Sequence, residues 1–250
     1  MEVFNITLPT SWGELTDKQL HMVYNLFARD LSAAEVKTLC LMKWNGLKVL
    51  SQLPDKRFLI KRGKEVVPLS TRQIQQATSV LDYLDSFAPM PVRIARIGKY
   101  NALPADFEKV PFEEFLFVEN LFQGYLNTQS DELLLQMAQV LYASDLVKPD
   151  KAQLIGTFYW MASLKQYFAG QFSNFYKPVS TNNGGNLLGS GQPDIYRQLR
   201  ESTNAMIRAL TGGDITKEAA IMKMDTWRAL TELDAKAREA EELRKATQKS

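Results

Sequence analysis

The sequence predicts a mainly α protein: a multi-helix bundle with a small β-hairpin insertion and a charged amphipathic helix at its C-terminal end. Three observations lead there. Apolar residues recur at helical spacing along most of the 250 residues, the sign of helices with one buried face. Hydroxyl residues followed three positions later by Glu or Gln mark helix starts, because each side chain can satisfy a backbone donor near the other. One stretch, between Pro54 and Pro68, has instead two short apolar runs around a glycine turn. With 45% hydrophobic and 23% charged residues, the chain can bury a core without disulfides or metals.

The elements follow in order. Thr16 with Gln19 and Ser32 with Glu35 place helices from about Asp17 to Arg29 and from about Ala33 to Asn45, where Gly46 offers a left-handed stop. Phe58-Leu59-Ile60 and Glu65-Val66-Val67 flank Lys61-Arg62-Gly63-Lys64 and form the expected hairpin. Ser70 with Gln73 starts a helix reaching about Phe87, ahead of Pro89 and Pro91. Val92 to Ile97 reads as a short extended piece. Pro111, Ser130 and Asp150 then start helices that run to about Leu126, Ala143 and Phe175. Sixteen of the 26 aromatic residues lie between Tyr100 and Tyr176, a density that calls for a packed bundle. Residues 178–193 are rich in Gly and Asn and uncharged, which reads as a mobile linker. Asp194 to Leu210 is the next helix, stopped at Gly212-Gly213, and Asp225 caps the last one. The expected regions are therefore 1–99, a helical part with the hairpin; 100–177, the aromatic-rich bundle; 178–193, the linker; and 194–250, a C-terminal helical region.

The inventory of reactive groups is small. A single Cys40 and a single His21 exclude an internal disulfide and any zinc site made of several thiolates and imidazoles. Neither the phosphate-binding P-loop pattern nor the dinucleotide fingerprint occurs. Cys40 falls on an apolar helix face, where a thiol is inert. Glu113-Glu114 and Asp131-Glu132 open helices, where carboxylates favour the helix dipole; Glu239, Glu241 and Glu242 fall on a solvated face. No catalytic residue, metal or cofactor is expected. The N-terminal residues lack the pattern of a secretory signal, and no apolar run approaches the roughly 20 residues of a membrane span, so the expected location is the cytoplasm of the producing cell.

Two surfaces remain as binding candidates. Lys56, Arg57, Lys61, Arg62 and Lys64 surround the hairpin turn and could meet nucleic-acid phosphate, although basic residues also keep exposed strands soluble and the net charge of only +2 does not call for a nucleic-acid partner. The last helix carries Trp227, Leu230, Leu233 and Leu243 in a narrow apolar stripe on a charged background. Such a stripe suits a coiled-coil seam, including self-association, or docking in a groove, and equally suits folding back on the chain's own bundle. As a contact stripe it predicts that replacing Trp227 and Leu230 together by Ala removes partner capture and leaves the bundle folded.

Leu8-Pro9-Thr10-Ser11-Trp12-Gly13-Glu14-Leu15-Thr16-Asp17-Lys18-Gln19-Leu20 and Asp225-Thr226-Trp227-Arg228-Ala229-Leu230 resemble helical proteins encoded among the tail genes of Bacteroidetes prophages, of the tail assembly chaperone group or a neighbouring tail module. The resemblance implies a non-enzymatic role: shielding apolar helical surface of a tail partner such as the tape-measure protein until the tail polymerises. It also implies residence in the host cytoplasm or association with the virion.

Overall fold

A computed structural model of the chain describes residues 6–177 and 195–248; the expected linker at 178–193 lies outside the described residues. Among the described residues the fold is mainly α, about 60% helical, with short strands as the minor component. No described helix is long and apolar enough to cross a membrane. The chain forms two compact units, residues 1–97 with 149–163 (unit 1) and residues 98–148 with 164–250 (unit 2). They depart from the four regions expected along the chain. Residues 149–163 join the N-terminal unit, and the C-terminal helices share one unit with residues 98–148.

Unit 1 starts with α1 (Asp17–Phe27) and α2 (Ala33–Trp44). Both begin as the sequence predicts, with complete capping boxes at Thr16/Gln19 and Ser32/Glu35, and Gly46 at φ +63° turns the chain out of α2. The expected hairpin is part of a larger element. Strands β1 (Lys48–Gln52), β2 (Phe58–Arg62) and β3 (Glu65–Leu69) form an antiparallel meander with β2 in the centre. All five residues of β1 are exposed, so the strand lacks the alternation of buried and exposed positions by which a sequence announces one. On the inner face of the sheet, Ile60 and Val67 pack with Leu41 and Leu47.

After the sheet comes α3 (Thr71–Thr78), capped by Ser70, and then a 3-10 helix over Ser79–Asp85 in place of the single helix expected to reach Phe87. The tighter winding suits its contacts. Leu81 and Leu84, three apart, are both buried, and three residues per turn bring them onto one face. The turn also aims the Tyr83 and Ser86 carbonyls at the Trp12 indole N–H, which donates to both at 2.9 and 3.1 Å. On the outside, Lys37 of α2 donates to Asp82 and Asp85 at 2.7 Å each, and these two carboxylates hold the lysine above its ordinary pKa. Trp12, Leu20, Val23, Tyr24, Leu84 and Ile94 make the core, closed by the first part of α6 (Lys151–Gln171). Asp150 caps α6 by accepting from the Gln153 N–H at 2.9 Å.

Unit 2 contains β5 (Tyr100–Asn101), which follows the two-residue β4 (Arg96–Ile97) of unit 1, and then α4 (Phe112–Thr128) and α5 (Asp131–Leu141). Pro111 stands at the N-cap of α4, one place before the first helical residue where the sequence put it. Ser130 occupies the N-cap of α5, but its side chain makes no capping bond there. Gln129 at φ +55° turns the chain between the two helices, and Gly124 lets them approach: a Cβ there would stand 3.1 Å from a Leu133 methyl. The second part of α6, from Leu164, belongs to this unit with α7 (Ile195–Thr211), α8 (Glu218–Met222) and α9 (Thr226–Thr247). Gly212 and Gly213, at φ +65° and +86°, end α7 where the sequence predicts.

Gly156 of α6 lies against the buried Tyr24 ring, where an added Cβ would be 2.8 and 2.9 Å from two ring carbons. A helix interior favours Ala over Gly by about 1 kcal/mol, but Tyr24 is 0% exposed and its ring has no room to yield. Gly156→Ala is expected to lower stability by about 1–3 kcal/mol through overpacking, measured by urea unfolding.

Candidate functional site

The beginning of α9 is bound into unit 2 by backbone and side chain together. Asp225 caps the helix, accepting from the Arg228 N–H at 3.1 Å, and its other oxygen accepts from the Lys109 N–H at 2.7 Å. Thr226 donates to the Val110 carbonyl from both its N–H, at 2.9 Å, and its hydroxyl, at 2.7 Å, while the Phe112 N–H donates to the Met224 carbonyl at 2.8 Å. Trp227 donates from its indole N–H to the Asp106 carbonyl at 2.8 Å. Its ring packs edge-on against Tyr167, Phe168 and Phe172 with centroids 5.4–5.7 Å apart. Farther on, Asp234 accepts from the Asn174 and Phe175 N–H groups and the Asn174 side-chain amide at 2.8–3.0 Å.

These contacts correct the expected stripe. Leu230 is 0% and Leu233 4% exposed, and Trp227 is half-buried in the aromatic cluster, so these three residues hold α9 to its own unit. The stripe folds back because the Asp106 carbonyl and the aromatic rings of α6 give Trp227 both an acceptor and apolar cover. Removing Trp227 and Leu230 together would therefore damage the fold as well as any docking. Leu243 alone of the four is open, at 69% exposure. Around it, most of residues 238–248 are exposed. Glu241 is the half-buried exception, paired with Lys177 at 2.7 Å and Lys245 at 2.8 Å, and the two ammonium groups hold its carboxyl down at about 2.

The structure divides the basic cluster of the hairpin. Arg57 pairs with Asp55 at 2.7 Å and Arg62 with Glu65 at 3.8 Å, whereas Lys56, Lys61 and Lys64 are exposed. Lys48, on the strand β1 that no alternation of apolar residues announces in the sequence, stands directly opposite Lys61 in the sheet.

Burial pushes the Cys40 thiol up to about 12, which removes its thiolate at neutral pH. His21 meets Asp150 across 2.7 Å, pairing α1 with the start of α6. A cleft of about 520 Å³ in unit 2, between α4 and α7, is lined by Glu119, Asn120, Gln123, Tyr176 and Thr203 among others. Glu119 is paired there with Lys165 of α6. The other Glu119 oxygen is buried without a hydrogen-bond partner. Among the described residues no cluster of His, Cys, Asp and Glu could hold a metal ion.

Compared with protein-family models, curated proteins and solved structures, the chain matches none.

The two halves of α9 should respond differently to substitution. Leu230→Ala is expected to cost about 2–5 kcal/mol of stability and Leu243→Ala less than about 0.5 kcal/mol, both read from equilibrium unfolding. At Asp234, burial alone would raise the carboxyl; the hydrogen bonds from Asn174 and Phe175, with help from Arg238, outweigh it and hold the group below its ordinary value. A depressed carboxyl stabilises the folded chain fully above the ordinary aspartate value near 4 and ceases to do so as pH falls through the folded-state value. Asp234→Ala should therefore cost about 1–2 kcal/mol at neutral pH, with the difference from wild type shrinking below about pH 4 in a series of denaturant melts.

Proposed function

We propose that this chain is a non-enzymatic binding protein that works in phage tail assembly, holding an apolar helical surface of a tail partner such as the tape-measure protein. The exposed distal half of α9 is the surface that does so. The observation that carries this reading is Leu243, an open leucine on an exposed helical segment whose proximal half is anchored. The anchoring at Asp225, Trp227 and Asp234 supports it: a helix fixed at one end presents its other end in a defined direction, so docking there need not order a free peptide. The inert Cys40 thiol and the resemblance of residues 8–20 and 225–230 to tail-module proteins point the same way. A helix with one apolar position among charges docks through that position into a partner's apolar groove, and the surrounding charges set the register.

Co-expression with the tape-measure protein, followed by size-exclusion chromatography, tests this. A stable complex is expected. Leu243→Asp should weaken it by roughly ten-fold or more, the value of one buried leucine, and leave unfolding unchanged. Capture of equal strength by the variant, or no complex with wild type, rejects the proposal.

A further inference from the structure

The meander brings together charges that lie far apart along the chain. Lys48 of β1 and Lys61 of β2 are direct cross-strand partners, so their side chains leave the same face with Cβ atoms about 5 Å apart. That face is the outer one, because Ile60, the neighbour of Lys61 on β2, and its β3 partner Val67 are buried on the opposite, inner side. Lys64 sits in the two-residue turn between Arg62 and Glu65, at the same end of the sheet. All three lysines are exposed. Of the two carboxylates in the meander, Glu65 lies at this end, 3.8 Å from Arg62, and Asp55 lies in the turn at the opposite end, paired with Arg57. Residues 48–69 hold six basic residues against these two acids, a net +4 within a chain whose total is +2.

Like charges placed directly opposite each other weaken a sheet. A lysine on an edge strand can be explained as protection against edge-to-edge pairing, and Lys48 is on the edge strand β1. Lys61 is on the central strand β2, where no edge exists to protect. An anion bridging the two ammonium groups relieves the repulsion. The rest of the outer face, Ser51, Leu59, Val66 and Pro68, shows what kind of anion. It offers no aromatic ring on which a base could stack, and a lysine is a point charge without the fork that reads a guanine edge. It also offers no large aromatic group to enter a lipid interface. We infer that the outer face of the sheet at its Lys48–Lys61–Lys64 end is a contact site for the phosphodiester backbone of nucleic acid, without base preference. This site is in unit 1 and stands independently of the role proposed for α9.

The test uses the full chain and fluorescence anisotropy with a labelled DNA duplex, a labelled RNA hairpin and, as a third arm, vesicles containing phosphatidylserine. Binding to the duplex or the hairpin is expected, and the arm that binds more tightly identifies the source of the phosphate. Three neutralised phosphates predict that log K falls with log salt at a slope of about −2.7 on the duplex. Lys48→Gln with Lys61→Gln should bring the slope to about −0.9 and weaken low-salt binding at least ten-fold, while the melting temperature stays equal or rises because the repulsion is gone. The double Arg variant, Lys48→Arg with Lys61→Arg, should bind as wild type does. Lys64→Gln should remove about one unit of slope. Wild-type strength in the double Gln variant, absence of nucleic-acid binding at low salt, or binding to the vesicles alone overturns the inference.

Discussion

In each unit of this protein a tryptophan ties distant stretches of chain together by giving its indole N–H to a backbone carbonyl far away in sequence. Burying the ring removes a large apolar area from solvent, but a buried N–H without a partner would cost much of that gain. In unit 1, Trp12 resolves the conflict by donating to the Tyr83 and Ser86 carbonyls more than 70 residues away. In unit 2, Trp227 does so through the Asp106 carbonyl, 121 residues away. In both cases the acceptor is a backbone carbonyl in an irregular or 3-10 stretch, where C=O groups are free of a regular helical ladder. The 3-10 stretch after α3 and the start of α9 are each tied to distant chain by such a bond.

The packing around these tryptophans also bears on which surfaces remain for binding. The stripe on α9 loses Trp227, Leu230 and Leu233 to the fold, and what it keeps is an exposed charged segment with Leu243, tied at Glu241 to Lys177. Many of the aromatic residues pack on one another, as in the Trp227 cluster with Phe168 and Phe172, while Phe117 stays exposed. The meander is a contrasting element. Its inner face is held by a small apolar cluster around Ile60 and Val67, and its outer face carries Lys48 and Lys61 beside Ser51, Leu59, Val66 and Pro68. One side of a thin sheet thus supplies the folding energy while the other collects like charges close together. Arg57 of the same segment is bound to Asp55 at 2.7 Å, as the planar guanidinium favours, and Arg62 lies 3.8 Å from Glu65, whereas Lys48, Lys61 and Lys64 are exposed.

What was legible in the sequence is what depends on neighbours three or four residues apart. The capping boxes at Thr16, Ser32 and Ser70 are complete in the structure, because a hydroxyl and a later Gln or Glu find each other's backbone without help from the rest of the chain. The glycine stop after α7, the Asp225 cap and the β2–β3 turn at Gly63 are equally local. The sequence concealed β1, whose side chains are all exposed, and the 3-10 winding of Ser79–Asp85, which is coupled to a tryptophan near the start of the chain.

By itself, then, the sequence determined the mainly α character, most helix starts, and the shortage of reactive side chains, since these follow from residue type and short-range spacing. Tertiary structure alone decided that the Trp227 stripe turns inward, that Lys48 meets Lys61, and that residues 149–163 join the N-terminal unit. The reason is physical: a periodic pattern states which face of a helix or strand is apolar, while the acceptor or neighbour that covers it comes from chain distant in sequence, and no local preference carries that information.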